Sequence, residues 1–285
     1  AGVPANAIQC LTGSGSKIGS LLASDSRIAA VSFTGSTEVG IEIAKYCAPS
    51  LKHVSLELGG NDPLIIFDDC DFELAVSETI SGRIGNAGQT CCASKRFIVQ
   101  RGIAERFKQE LISRLKELRI GDPSDPTVDM GPVVSEQAAI QVENQIRHTV
   151  EQGGKLLYGG NRNGAFVEPT VIEATPDMDI SRDMEVFGPV FPIIVFDTKE
   201  EAVQIANNTI YGLSSGVITE DIRTAMWVAN NVQAGACIIN GSGNYRLAHQ
   251  PFGGYKLSGI GREGAVSTLE EMTRQKLISF KGILK

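Results

Sequence analysis

Short apolar segments of strand length alternate with segments of helical period along most of this 285-residue chain, and glycine or proline marks many of the joints. That alternation constrains the fold more than any other feature, because parallel strands need crossovers long enough to hold a helix. Residues 29–33 read as a strand and 36–46 as a helix. Segments 53–57 and 63–67 read as further strands, the second opened by Pro63, which cannot donate at an interior ladder position. Residues 71–84 then follow a helical period, with acidic residues in the first turn where the helix dipole favours them. After a loop at 85–92 a strand resumes at 97–100, and amphipathic helices are expected over 104–118 and 135–152. A strand at 215–219, a helix at 221–232 and a strand at 236–240 form one more crossover unit. The expected class is α/β with parallel sheets, and Gly59-Gly60, where a strand ends, marks a domain boundary.

Composition removes several classes of function. The chain is 42% hydrophobic, and no apolar run approaches the roughly twenty residues of a membrane span, so a soluble globular protein with no membrane partner is expected. A formal charge of -7 without any basic run argues against a nucleic-acid surface. Six cysteines without C-x-x-C spacing point to reduced thiols in the cytoplasm, and three scattered histidines predict no metal site.

Two motifs carry candidate chemistry: Glu57-Leu58-Gly59-Gly60, and Gly88-Gln89-Thr90-Cys91-Cys92. A thiol in a glycine-led loop is placed to use backbone N–H groups for a thiolate and later an oxyanion, although a cysteine is more often a small buried hydrophobe. Glu57 closes an apolar strand, where desolvation raises a carboxyl toward the working range of a general base; the bland reading is an ordinary cap or ion pair. Gly35-Ser36-Thr37 joins a strand to a helix, so it either holds a phosphate at the helix N-terminus or uses Ser36 only as a cap. Residues 13–19 are glycine-rich, but the last glycine comes one position late for a dinucleotide fingerprint. Glu185-Val186-Phe187-Gly188-Pro189 reads as a structured turn, and Arg246, His249 and Phe252 lie in a glycine-rich stretch near the end.

These motifs, together with Phe33-Thr34-Gly35-Ser36-Thr37-Glu38-Val39-Gly40 and Pro251-Phe252-Gly253-Gly254-Tyr255-Lys256-Leu257-Ser258-Gly259, resemble the NAD(P)-dependent aldehyde dehydrogenase superfamily over essentially the whole chain. The resemblance implies part of a Rossmann-like cofactor domain over 1–58, a parallel-sheet catalytic domain over 59–271, and an oligomerisation strand and tail over 272–285, the strand itself at 276–281. It implies a further stretch before Ala1 that holds most of the cofactor domain, so that this chain alone turns over little. It selects Cys91 over Cys92 as nucleophile and makes Glu57 the base that activates water. Gly35, Ser36, Leu58, Glu185 and Phe187 become cofactor-binding residues for NAD or NADP, with Glu185 on the ribose and Phe187 against the nicotinamide. Residues 13–19 become a loop near the adenosine half. Arg246 and Phe252 fall to the substrate, by weak similarity a small or acidic aldehyde such as succinate semialdehyde or lactaldehyde. A homodimer or homotetramer is implied. Two rivals stay open: a thiol esterase or acyltransferase that uses Cys91 and Glu57 without hydride transfer, and a non-catalytic structural fragment.

Overall fold

The computed structural model describes residues 2–282. It begins with α1 (Gly15–Ser24), β1 (Ala30–Thr34), α2 (Thr37–Cys47) and β2 (His53–Glu57). β1 and β2 pair in parallel, Thr34 opposite Glu57, and α1 packs on α2. Ser36 ends the β1 connection and starts α2 by accepting the Val39 N–H. Residues 13–19, expected as a loop, instead enter α1, which starts at Gly15 after Ser14.

The chain then leaves this sheet and builds a larger one from β3 (Asp62–Ile66), α3 (Phe72–Ile84), β4 (Ser94–Gln100), α4 (Arg101–Glu117) and α5 (Glu136–Glu151). It continues through β5 (Lys155–Tyr158), the small hairpin of β6 (Arg162–Asn163) and β7 (Phe166–Val167), and then β8 (Thr170–Glu173) and β9 (Val190–Phe196). α6 (Lys199–Asn207), β10 (Gly216–Ile218), α7 (Ile222–Asn231) and β11 (Ile238–Ile239) complete it. The strand order is β11-β10-β3-β4-β9-β8-β5. Every neighbouring pair is parallel except β5 and β8. That departure from an all-parallel sheet follows from the short connection between β5 and β8, which holds only the hairpin and leaves no room for a crossover helix. β12 (Gly259–Ile260) returns to pair antiparallel with β2, and α8 (Ala265–Glu271) follows.

Strand alternation divides the large sheet's core into two layers. Leu64, Ile66, Phe97 and Val99 face α3 and α4 through Ala75, Val76, Phe107 and Leu111. Ile65, Ile98, Ile194 and Phe196 face the other side, with Val142 and Ile146 of α5, Ala202 and Ile205 of α6, and Val228 of α7. Asp71 caps α3 by accepting the Leu74 N–H at 3.1 Å, and Ser135 caps α5 by accepting the Ala138 N–H at 3.1 Å. β4 starts earlier than residue 97 because Ser94, Lys95 and Arg96, although polar, are buried strand residues. No strand forms at 276–281; that segment is irregular, with Leu277 90%, Ile278 68% and Phe280 69% exposed. A strand exists only by pairing, and no described segment of this chain pairs with it.

Candidate active site

The two sheets meet end to end. The C-terminal ends of β1 and β2 face the segments that lead into β4 and β9, and between them opens a cavity of about 760 Å³. Its wall brings together Gly35, Ser36, Glu57, Leu58, Cys91, Glu185 and Phe187, seven of the nine residues singled out from the sequence.

Cys91 lies half-buried in a turn that enters β4. The preceding loop takes an unusual path: Asn86, Ala87 and Gly88 all have left-handed backbone, with φ of 52°, 53° and 78°. Such a conformation costs about 1–2 kcal/mol at each non-glycine residue, so the surroundings must hold it. They do so through side chains. Asn86 Nδ2 donates to Gln89 O at 3.1 Å, Gln89 Nε2 returns a bond to Asn86 O at 2.9 Å, and Gln89 Oε1 accepts the Val134 N–H at 2.8 Å. A Cβ at Gly88 would stand 2.4 Å from Gly188 O, so only glycine lets this loop lie against the Glu185–Pro189 turn.

The Cys91 thiol is held below its ordinary 9.0, at about 6, first by a hydrogen bond from the Cys92 thiol and then by the Lys95 ammonium, with burial opposing both. Cys92 is pushed up by the same hydrogen bond and by burial. It packs with Leu213 and Phe252, and its Sγ lies 3.5 Å from Asn244 Oδ1. Among the described residues the Cys91 N–H has no acceptor, which leaves it available to a developing oxyanion.

Glu57, the last residue of β2, is only 4% exposed, and neither carboxylate oxygen has a hydrogen-bond partner. Burial pushes its pKa from 4.5 up to about 8, helped by Glu263 and Cys91 and opposed by Arg262 and Arg246. The site thus moves the two groups in opposite senses, the thiol toward its ionised form and the carboxyl toward its protonated form. What a carboxyl with so high a pKa offers is strong basicity toward water once it ionises.

The other side of the cavity is more constrained than the sequence suggested. The Gly35 N–H donates to Glu57 O at 3.1 Å, so it is committed to the sheet. Ser36 Oγ accepts the Val39 N–H at 3.4 Å and is a helix cap. What remains for an anion is the open first turn of α2. Leu58 borders the cavity and turns its side chain onto α2, where a Cβ at Gly40 would collide with it at 2.4 Å. Glu185 Oε1 accepts the Gly60 N–H at 3.0 Å, and a Cβ at Gly59 would lie 2.3 Å from Glu185 Oε2. Phe187 leaves 42% of its surface exposed.

Arg246 and Phe252 stand outside this wall. Phe252 is buried behind Cys91 and Cys92. Arg246 stacks on Phe252 at 4.1 Å, and its Nη2 donates to Glu263 Oε2 at 3.3 Å. Arg246 instead lines a second cavity of about 930 Å³, where Arg262 and Glu263 accompany it.

Three cations with 1% exposure or less escaped the sequence reading. Arg96 donates to the carbonyls of Asn61, Ser181, Ile205 and Ala206 at 2.6, 3.1, 2.9 and 2.8 Å. Arg83 donates to Val186 O and Val190 O, both at 2.8 Å, and so fixes the turn that carries Glu185 and Phe187. Lys95 Nζ lies 3.3 Å from Glu185 Oε1. The available signal was charge inside elements that otherwise read as apolar.

Comparison with known proteins gives one family. The aldehyde dehydrogenase family profile matches residues 1–278. A lactaldehyde dehydrogenase of Methanococcus maripaludis is 41% identical over 281 residues, covering 99% of this chain and 60% of the relative. A betaine aldehyde dehydrogenase of Cereibacter sphaeroides is 42% identical over 282 residues, covering 98% and 58%. Among solved structures, glyceraldehyde-3-phosphate dehydrogenase of Methanocaldococcus jannaschii complexed with NADP superposes with a TM-score of 0.89 at 39% identity, covering 92% of this chain and 57% of that one. Betaine aldehyde dehydrogenase of Staphylococcus aureus in complex with NAD+ gives 0.88 at 41%, covering 91% and 53%. The chain thus spans about 60% of the length of the curated relatives it matches.

Proposed function

Because the chain belongs to the aldehyde dehydrogenase family, we propose that it supplies the nucleophile and the base for NAD(P)-dependent oxidation of an aldehyde to a carboxylic acid. The supporting observation is one cavity that holds an activated thiol, a buried carboxyl and an open helix N-terminus together. The Cys91 thiolate adds to the carbonyl carbon, and the Cys91 N–H donates to the alkoxide oxygen of the resulting thiohemiacetal. NAD or NADP, when bound, supplies the hydride acceptor that converts this adduct into a thioester. Ionised Glu57 then takes a proton from water as the oxygen attacks the thioester, releasing the carboxylate and returning the thiolate. Glu185 suits the ribose hydroxyls, the first turn of α2 suits a phosphate, and Phe187 suits the nicotinamide face. The fit rests on the Glu185 carboxylate, held at the cavity by the Gly60 N–H, and on the open α2 terminus.

Small aldehydes are the proposed substrate class, with Phe252 backing the thiol and Arg246 modulated by its pairing to Glu263. In domain terms the proposal divides the chain at 1–58, 59–271 and 272–285. Segment 276–281, with its exposed apolar residues, completes a strand on a neighbouring subunit of a homodimer or homotetramer. Among the described residues no helix is long and apolar enough to cross a membrane.

The presence of both Cys91 and Glu57 in this chain also favours a second reading, ester hydrolysis without hydride transfer. A panel of aldehydes with NAD and NADP, run beside a nitrophenyl ester on the intact protein, separates the two. Cofactor reduction lost by at least about a thousandfold in Cys91→Ser supports the oxidation, whereas ester cleavage alone, indifferent to cofactor, replaces it.

A further inference from the structure

Lys95 is a lysine in a place that seldom keeps one: its side chain is 1% exposed, and it lies inside a buried strand. The register between β3 and β4 explains where it points. Asp62 pairs with Ser94 and Pro63 with Arg96, so Lys95 is the extra residue of a bulge, a device that re-aims a side chain. Its ammonium reaches Cys91 O at 2.6 Å and Thr90 O at 3.0 Å, and it lies 3.3 Å from Glu185 Oε1 and 5.5 Å from the centre of the Phe187 ring. One cation thus ties the thiol's turn to the turn that carries Glu185 and Phe187.

We propose that Lys95 is a positioning residue that shares its charge between the Cys91 sulfur and the Glu185 carboxylate, stabilising the thiolate while it fixes the distance between the two turns. The proposal rests on the reading of Cys91 as nucleophile. The groups facing Cys91 act in the required senses: Cys92 and Lys95 lower its pKa, and Glu185 raises it. Glu57 across the cavity is raised to about 8, and Asp62, on the neighbouring strand, is also raised by burial to about 8. Neither carboxyl therefore neutralises the ammonium near pH 7.

The test is iodoacetamide alkylation of the full chain across a pH series, with the labelled cysteine identified by peptide mass spectrometry and folding checked by thermal melting. In the wild type Cys91 labels with a midpoint near 6. Lys95→Met moves that midpoint up by about one pH unit or more, slowing labelling below the midpoint about tenfold, while Lys95→Arg keeps it near the wild-type value. Glu185→Gln, which removes the competing anion, moves it down. A general loosening of the loop would shift both variants the same way, and that result, or an unmoved midpoint in folded Lys95→Met, overturns the proposal. If Lys95→Met does not fold, Glu185→Gln decides alone: a lowered midpoint supports the sharing, and an unchanged or raised one overturns it. A wild-type Cys91 that labels at pH 7 no faster than the other thiols sinks the nucleophile itself, and the proposal with it.

Discussion

In the seven-stranded sheet every residue of β3 and all of β4 except Gln100 are buried, whereas β1 in the three-stranded sheet has no fully buried residue. The first is covered by α3 and α4 on one face and by α5, α6 and α7 on the other. The second carries α1 and α2 and opens through Ser32 and Ser55 onto the cavity of about 930 Å³. The thiol hangs from the closed sheet and the carboxyl from the open one. Positional precision at Cys91 is therefore bound up with global stability, while Glu57 is tuned mainly by local desolvation.

Arg96→Met tests the closed side most severely. Four buried carbonyls lose their donor, and a loss of about 3–5 kcal/mol in urea unfolding is expected. A loss under about 1 kcal/mol would mean the large sheet does not depend on that cation.

Glu57→Gln tests the open side in activity. Thioester hydrolysis should slow by about 100-fold or more while acylation of Cys91 persists, visible as a burst of acyl-enzyme without turnover. The same variant probes stability. With a folded pKa of about 8 against 4.5 unfolded, native Glu57 keeps a proton that the unfolded chain releases, so stability falls as pH rises through that window. Asp62, raised from 3.8 to about 8, adds in the same sense. The wild-type melting temperature should decline from pH 5 to 8, and Glu57→Gln should flatten part of that slope. Equal slopes in the two proteins would refute the desolvation of Glu57.

Ser36→Ala gives the smallest effect. Loss of the long cap bond to Val39 should cost about 0.5–1 kcal/mol in thermal unfolding. A much larger rise in the Michaelis constant for NAD(P) would show that the hydroxyl also serves the cofactor.

Elements whose pattern reflects local physics were legible in the sequence. The strand expected at 53–57 is β2 (His53–Glu57), and the helix expected over 71–84 is α3 (Phe72–Ile84), capped by Asp71. The beginning of β4 was not legible, because Ser94, Lys95 and Arg96 interrupt the apolar run and their burial depends in part on partners far away in the chain, such as Ile205 for Arg96 and Glu185 for Lys95. The antiparallel β5 depends on a tertiary pairing that no local pattern encodes. Segment 276–281 has strand-like residues but pairs with no described segment of this chain. At the cavity, the family resemblance singled out Cys91, Glu57 and Glu185, yet it had no means of showing that the Gly35 N–H is committed to Glu57 O or that Arg246 pairs with Glu263.

Neither Arg83 nor Arg96 can let go of its carbonyls without admitting water to a dry interior, so the turn that carries Glu185 and Phe187 cannot melt ahead of the sheet behind it. Heating should thus abolish ligand capture and secondary structure in a single cooperative step. A preparation that still shows native circular dichroism would retain its binding competence up to the brink of denaturation, with no inactive, half-melted form accumulating beforehand.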